Sequence, residues 1–468
     1  MPLPAARLAL VFSALFTAWT PRGASAQELP APMRAHIDSV VRDVLATSGA
    51  PSASIAVVSH GQVAYANAYG TARLAPPLPA SPSMRYSIGS VSKQITATAV
   101  LLLAERHKLS LDDRVSRWLP TLTRASDVTI RQLLSMTSGY QDYWPQDYVM
   151  PPMLQATTAR RIVDEWGRKP LDFEPGTQWQ YSNTNYVIAG LIVEKASGMS
   201  IVDFLRRNVF TPLQMESVTI TDEGALGPSD PERYERFGLG PPRIAPKEGA
   251  GWLFAAGELA MTATDLARWD ISVIEQTVLQ PASYRSQQTD VLLRDGRATG
   301  YGLGVVVGSF RGHRLISHGG EVSGFSTQNS IFPDDSIAVV VLANLFATDA
   351  QAVIARRIAD ALISSMDTAT DKAVAQTRAI FEGLQHGTVD RALFTANANA
   401  YLSELAIADF AASIGSCGAA GAATRTGSSL RGGMTYRGYR IHCGSTEYAV
   451  STFVMPDGKI EQFIVTPE

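Results

Sequence analysis

The stretch YSIGSVSKQITATAVLLLAE, residues 86–105, sets Ser90 and Lys93 three residues apart at the mouth of an apolar run. Residues 95–104, ITATAVLLLA, are apolar almost all round, which predicts a helix buried on every side. Positions i and i+3 share one helix face, so Lys93 can reach the Ser90 hydroxyl from the first turn. A serine hydroxyl is a weak nucleophile until a base takes its proton. A solvated lysine is protonated at pH 7 and cannot serve; burial against an apolar helix disfavours its charge. The first helical turn also offers unbonded backbone N–H groups, suited to a developing oxyanion. The pair alone decides nothing. With 40 serines and seven lysines in 468 residues, Ser-x-x-Lys arises by chance about 0.6 times. A helix capped by Ser90, with Lys93 reaching out to solvent, fits the same letters.

On the N-terminal side, Arg7, the apolar residues 8–19 and the small Ala24-Ser25-Ala26 have the form of a secretory signal cleaved before Gln27. The apolar part is too short to span a bilayer once folded, although an uncleaved anchor is the alternative. The expected location is periplasmic or secreted, with no stable membrane span after signal removal and the oligomeric state open. The chain is 46% hydrophobic and 18% charged, with net charge −3 and both signs scattered. No basic stripe interleaved with aromatics is present, so nucleic acid is not an expected partner. No metal-ligand motif occurs. Gly302, Gly304 and Gly308 miss the dinucleotide spacing and precede a strand, so neither metal nor cofactor is expected.

The middle of the chain reads as helical. Ile37, Val40, Val41, Val44 and Leu45 follow an amphipathic period, and SIAVVSHGQVAYANAYG (54–70) reads as a hairpin turning at His60-Gly61. Strands return in YGLGVVVG (301–308), HRLISHGG (313–320), STQNSIF (326–332) and SIAVVVLAN (336–344), followed by a helix over 351–364. Strands at both ends of a helical middle imply one sheet built from both ends, within a domain spanning 27–365. The polar, small residues 366–376 read as a linker. Residues 377–468 read as a small α+β domain with helices near 376–413 and strands near 433–443, 446–455 and 459–466. The only cysteines, Cys417 and Cys443, are expected to pair in an exported chain, with two free thiols as the alternative.

Two further motifs change the reading of Ser90 and Lys93. Tyr181-Ser182-Asn183 follows a Pro-Gly turn and precedes an apolar helix, so Tyr181 and Asn183 can both face a cleft. His318-Gly319-Gly320 ends a strand, and its glycines allow another backbone to come close. A core tyrosine, a helix-capping asparagine and a β-bulge are the structural alternatives. In their order, SVSK, YSN and HGG resemble the class C β-lactamase and penicillin-binding-protein-like serine hydrolases, over roughly residues 30–365. LSLDDRVSRWLP, TIRQLLSMTSGY and AAGELAMTATDLARW support the resemblance.

That resemblance implies an α/β chain of the α+β type. It would hold a β-lactamase/transpeptidase-like antiparallel sheet flanked by helices, with an inserted helical region and a small C-terminal α+β domain. It makes Ser90 the acylated nucleophile, Lys93 and Tyr181 the pair that moves its proton, and Asn183 a substrate hydrogen-bond partner. His318 takes the position of the third motif's cation, and the backbone N–H groups of Ser90 and Glu321 form an oxyanion hole beside Gly319 and Gly320. The implied partner is a small-molecule or peptide substrate with an ester or amide carbonyl.

The third motif departs from Lys-Thr-Gly. A neutral histidine, a glycine without a hydroxyl and the added Glu321 all weaken recognition of an anionic β-lactam. The expectation is an esterase or peptidase with weak β-lactamase activity. A non-catalytic binder of penicillins or cell-wall peptides is the rival. Met136 receives no catalytic meaning. Tyr140, Tyr143, Trp144 and Tyr148 form either surface packing or an aromatic wall of the cleft.

Overall fold

A computed structural model of the chain describes residues 28–467 apart from 147, 223 and 225. The expected signal segment lies outside the described residues. The described residues divide into two compact units, one up to residue 358 and one from residue 359 on.

In the first unit, helix α1 (Ala31–Ser48) leads into the hairpin β1 (Ser52–Ser59) and β2 (Gln62–Leu74), with a short β3 (Pro77–Pro79) on its edge. The hairpin turns at His60-Gly61, both at positive φ, as expected for a tight turn. Helices α2 (Ser92–Glu105), α3 (Asn183–Ser197) and α4 (Ala263–Glu275) lie in the middle of the chain. The strands then resume as β4 (Val306–Phe310), β5 (His313–Val322), β6 (Phe325–Phe332) and β7 (Ile337–Ala343). All seven form one antiparallel sheet in the order β3-β2-β1-β7-β6-β5-β4. The join between the two ends of the unit is β1 against β7, in register from Ala53↔Ala343 to Ser59↔Ile337.

The central strands are buried on both faces. Ala56, Val58, Val340 and Leu342 point into the main core with α2, α3 and α4. Ile55, Val57, Val339 and Val341 alternate with them and are equally buried. Helix α1 packs against β1 and β2 with Ile37, Val40, Val41 and Val44 inward. Each such aliphatic side chain contributes roughly 1.5–3 kcal/mol on burial. Helix α2 is buried at every position from Ser92 to Leu103, as its composition predicts, and packs along α3.

Residues 366–376, read as a linker, are helical instead. They lie inside α5 (Ala350–Gln385), which contains the boundary between the two units. Small polar residues misled the reading. The segment contains neither Gly nor Pro, and its Ala, Lys and Gln residues are good helix formers.

The second unit continues with α6 (Ala396–Tyr401) and α7 (Glu404–Ile414). A four-stranded antiparallel sheet follows, β8 (Ala420–Arg431), β9 (Met434–Cys443), β10 (Thr446–Val454) and β11 (Ile460–Pro467), in that order. Strand β8 went unread because AGAATRTGSSLR is small and polar; it is an edge strand with two register shifts. Phe381, Leu384, Phe394, Tyr439, Ile441 and Phe463 form this unit's own core.

Cys417 and Cys443 are disulfide-bonded across 26 residues. In the chain-entropy account, a loop of that size stabilises by about 3–4 kcal/mol. Replacing both cysteines by serine is expected to lower the second unit's stability by about that amount in chemical denaturation. An unchanged transition would show that the bond does not constrain the unfolded chain.

Candidate active site

Gly89–Val91 forms a 3-10 turn that runs directly into α2. Ser90 is half-exposed in that turn, while Lys93 is fully buried one turn on. Lys93 Nζ lies 2.9 Å from Ser90 Oγ, the contact expected for an i, i+3 pair. Nζ also donates to Asn183 Oδ1 and to the Ala256 carbonyl, each at 2.8 Å. The Tyr181 ring covers it, with its centroid 5.0 Å away. Burying an amine without partners is costly; here oxygens from three segments meet it.

Asn183 is the first residue of α3, and Ser182, its N-cap, makes no side-chain cap bond. The start of this helix is held from elsewhere. Asp142 Oδ1 accepts the Asn183 N–H at 3.0 Å and the Trp144 N–H at 3.1 Å. Asp142 Oδ2 faces Asn183 Nδ2 at 3.3 Å. Burial pushes the Asp142 carboxyl up from its ordinary value, against those hydrogen bonds and the charge of Lys93. Met136 also has a structural part. Its carbonyl accepts from Gln180 N at 3.0 Å, and its sulfur faces Ser182 N at 3.4 Å.

The third motif lies in β5, with regular pairing to β6 from Ile316 to Val322 and no bulge. Strand β5 lies inside the sheet, between β6 and β4. However, β4 covers its outer side only as far as Ser317, so residues 318–322 lie past the end of β4. There the strand meets the Ser90 turn backbone to backbone. A Cβ on Gly320 would lie 2.0 Å from the Ile88 carbonyl oxygen and 3.2 Å from Ser90 N. Gly89, at φ +50°, approaches Glu321 N equally closely, its Cβ position 3.0 Å away. Only glycines permit this approach, which brings the main chain of Glu321 beside that of Ser90.

His318 is buried. Its Nδ1 lies 2.6 Å from the Gly319 carbonyl oxygen, which can only accept, so Nδ1 carries the proton. Nε2 then accepts from the Tyr301 hydroxyl at 2.9 Å. Burial, aided by the charge of Lys93, pushes the His318 pKa down to about 4. The position of the third motif's cation therefore holds a neutral ring whose two nitrogens are both engaged internally.

Residues 37–363 match the family model described as Beta-lactamase. The chain belongs to the beta-lactamase family. It is 30% identical over 302 residues to Penicillin-binding protein 4* of Bacillus subtilis (strain 168), covering 61% of this chain and 66% of that one. It is 26% identical over 314 residues to a D-aminopeptidase of Gluconobacter oxydans (strain 621H), covering 66% and 59%. The chain thus spans less than two thirds of the length of either relative. The octameric penicillin-binding protein homologue from Pyrococcus abyssi shares the fold, with a TM-score of 0.62 at 21% identity over 93% of this chain and 90% of that one.

In this member of the family, residues of all three motifs lie close together. Ser90, Asn183 and Glu321 line one cleft, with Tyr143, Trp144 and Val322 among its walls. The aromatic cluster divides: Tyr143 and Trp144 are buried in that wall, Tyr140 is core, and Tyr148 is 58% exposed. Sequence reading missed the Ala256 carbonyl, Asp142 and Tyr301. A carbonyl leaves no trace in residue type. Asp142 stood between Tyr140 and Trp144 in the loop already singled out, and an acid among aromatics was its only signal.

The depressed pKa of His318 sets a sign. As pH falls, the unfolded chain takes up a proton near its ordinary value of 6.5, the folded chain only near 4. Its contribution is present above pH 6.5 and lost between 6.5 and about 4, roughly 3 kcal/mol in all. Urea denaturation at pH 7 and pH 4 is expected to show the wild type losing about that much more than His318→Gln. Equal losses would mean that His318 titrates normally.

Proposed function

We propose that the chain is an exported serine hydrolase that works through an acyl-enzyme at Ser90 on ester or amide substrates. The observation that carries this reading is the three-oxygen environment of Lys93 Nζ. A neutral amine has two N–H bonds and one lone pair. The two N–H bonds suit Asn183 and Ala256, and the lone pair suits the Ser90 hydroxyl. After proton transfer, the ammonium finds the same three oxygens as acceptors. The site therefore accommodates Lys93 before and after it takes the proton, without rearrangement.

In this reading Ser90 Oγ attacks the substrate carbonyl carbon while its proton passes to Lys93. The oxyanion forms against the N–H groups of Ser90 and Glu321, which the Gly89–Gly320 approach sets side by side. The tetrahedral intermediate expels the amine or alcohol, which takes the proton by way of Lys93 and the adjacent Tyr181. Water then attacks the acyl ester, gives up a proton through the same pair, and releases the acid and Ser90. Asn183 holds Lys93 and faces the cleft.

A neutral His318 offers no charge for a substrate carboxylate. A D-aminopeptidase among the relatives supports amide substrates of the D-amino-acid type. Purified protein is screened with p-nitrophenyl esters, D-amino-acid amides, D-alanyl peptides and nitrocefin. The best ester or amide is expected to exceed nitrocefin in kcat/KM by at least about 100-fold, the scale of a lost charge-paired contact. Ser90→Ala is expected to abolish the acyl adduct in intact-protein mass and to lower kcat by about 1,000-fold or more. Full activity in that variant would remove Ser90 from the mechanism, and nitrocefin as the best substrate would overturn the substrate assignment.

A further inference from the structure

Asn183 can sit in either of two orientations related by exchange of its amide oxygen and nitrogen. Only one serves Lys93. With Oδ1 toward Nζ, the amide accepts from the lysine at 2.8 Å. In the other, an NH2 group would face the lysine nitrogen and remove an acceptor that a buried amine needs. The opposite side of the amide decides between them. There Asn183 Nδ2 lies 3.3 Å from Asp142 Oδ2, an atom of a carboxylate that only accepts when ionised. Reversal would set Asn183 oxygen against carboxylate and Asn183 nitrogen against lysine at once.

The backbone repeats the same control. Ser182 stands at the N-cap of α3 but caps nothing, and its hydroxyl is buried without a partner. The first N–H of the helix goes instead to Asp142 Oδ1, from a loop 41 residues upstream. A carboxylate at a helix N-terminus is favoured by the helix dipole as well as by the hydrogen bond. Asp142 is held in turn by the Trp144 N–H at 3.1 Å, and Gln141 O by the Thr184 hydroxyl at 2.7 Å. One carboxylate thus grips both the main chain and the side chain of Asn183.

We infer that Asp142 is a positioning residue for the reaction: it caps α3 from a distant loop and fixes the Asn183 amide with its oxygen toward Lys93. It touches neither Ser90 nor the substrate in this role and acts through Asn183. The inference rests on the acyl-enzyme reading of Ser90. The hydrogen-bond polarity runs from Lys93 to Asn183 to Asp142, each nitrogen donating to the next oxygen.

That polarity can be exchanged. In Asp142→Asn the new amide can keep its oxygen on the backbone N–H groups, but it turns an NH2 toward Asn183 and promotes the reversed amide. In Asn183→Asp two carboxyl groups face each other. In the double variant, the carboxylate at 183 accepts from both Lys93 and the amide at 142, whichever way it turns. The rate of Ser90 acylation by the best activated ester is measured for the wild type and all three variants, with KM alongside. Asp142→Asn is expected to acylate about 10- to 100-fold more slowly with KM within about threefold, the cost of slight misplacement in a reacting group. The double variant is expected to recover at least about tenfold over Asp142→Asn, which loss of a cap alone does not predict.

The same four proteins are compared by thermal denaturation, which needs no substrate. There the double variant is expected to melt above either single variant. Wild-type acylation in Asp142→Asn, or a double variant no better than the single ones in either measurement, would overturn the assignment. If the wild type is never acylated, the Ser90 reading falls by itself, and the melting cycle still decides the Asp142 assignment.

Discussion

A lysine amine with no access to water is the constraint around which the first unit is arranged. Lys93 is buried completely, at the start of a helix that is itself buried all round. Such a group survives only where oxygens meet it, and no single element supplies them. One comes from the turn before α2, one from the first residue of α3, and one from the loop at Ala256. Each of the three gives the buried amine a hydrogen-bond partner. Three segments from the middle of the chain are therefore tied together at a point where polarity, more than apolar packing, sets the geometry.

The sheet supplies a different kind of control. Strand β5 passes the Ser90 turn at a distance that only a missing Cβ allows, with Gly320 over the Ile88 carbonyl and Gly89 against Glu321. Because β5 is paired without interruption to β6, and β6 to β7, its position is set by the whole antiparallel sheet. The join of β1 to β7 then makes that position depend on the N-terminal hairpin as well. Strand β1 thus bears on the placement of an N–H at 321, although it lies far upstream in the chain.

How much of this was legible follows from range. The periodicity of α1, the His60-Gly61 turn and the continuous apolar run of β7 are local properties, and they read correctly. The all-round apolar run after Lys93 was enough to place α2 in the core. Local signals failed where tertiary context decides. Small polar residues in 366–376 form helix because nothing in them breaks one, and the Gly- and Ser-rich β8 forms strand because β9 offers it an edge. At the site, the motif residues were visible because three motifs, each weak alone, stand in the order of a known family. Asp142 was not, because its part is to hold a helix start from a distant loop, whereas the sequence offered the neighbouring Asn183 as that helix's cap.

The third motif shows how burial can reassign a residue that retains its place. A histidine in the position of the family's cation invites the reading of a weak or switchable charge. Its surroundings remove that possibility: one ring nitrogen donates to the Gly319 carbonyl, the other accepts from Tyr301, and the ring is held neutral by burial beside Lys93. A second cation this close to Lys93 would raise the free energy of the protonated lysine that the acyl-enzyme reading requires after proton transfer. Neutralising position 318 eases that proton transfer at the expense of a contact for anionic substrates. In the proposed acyl-enzyme reading, loss of the motif cation and use of Lys93 as a proton acceptor are linked, and the proposed preference for uncharged substrates would follow from the electrostatics of the base as much as from the shape of the cleft.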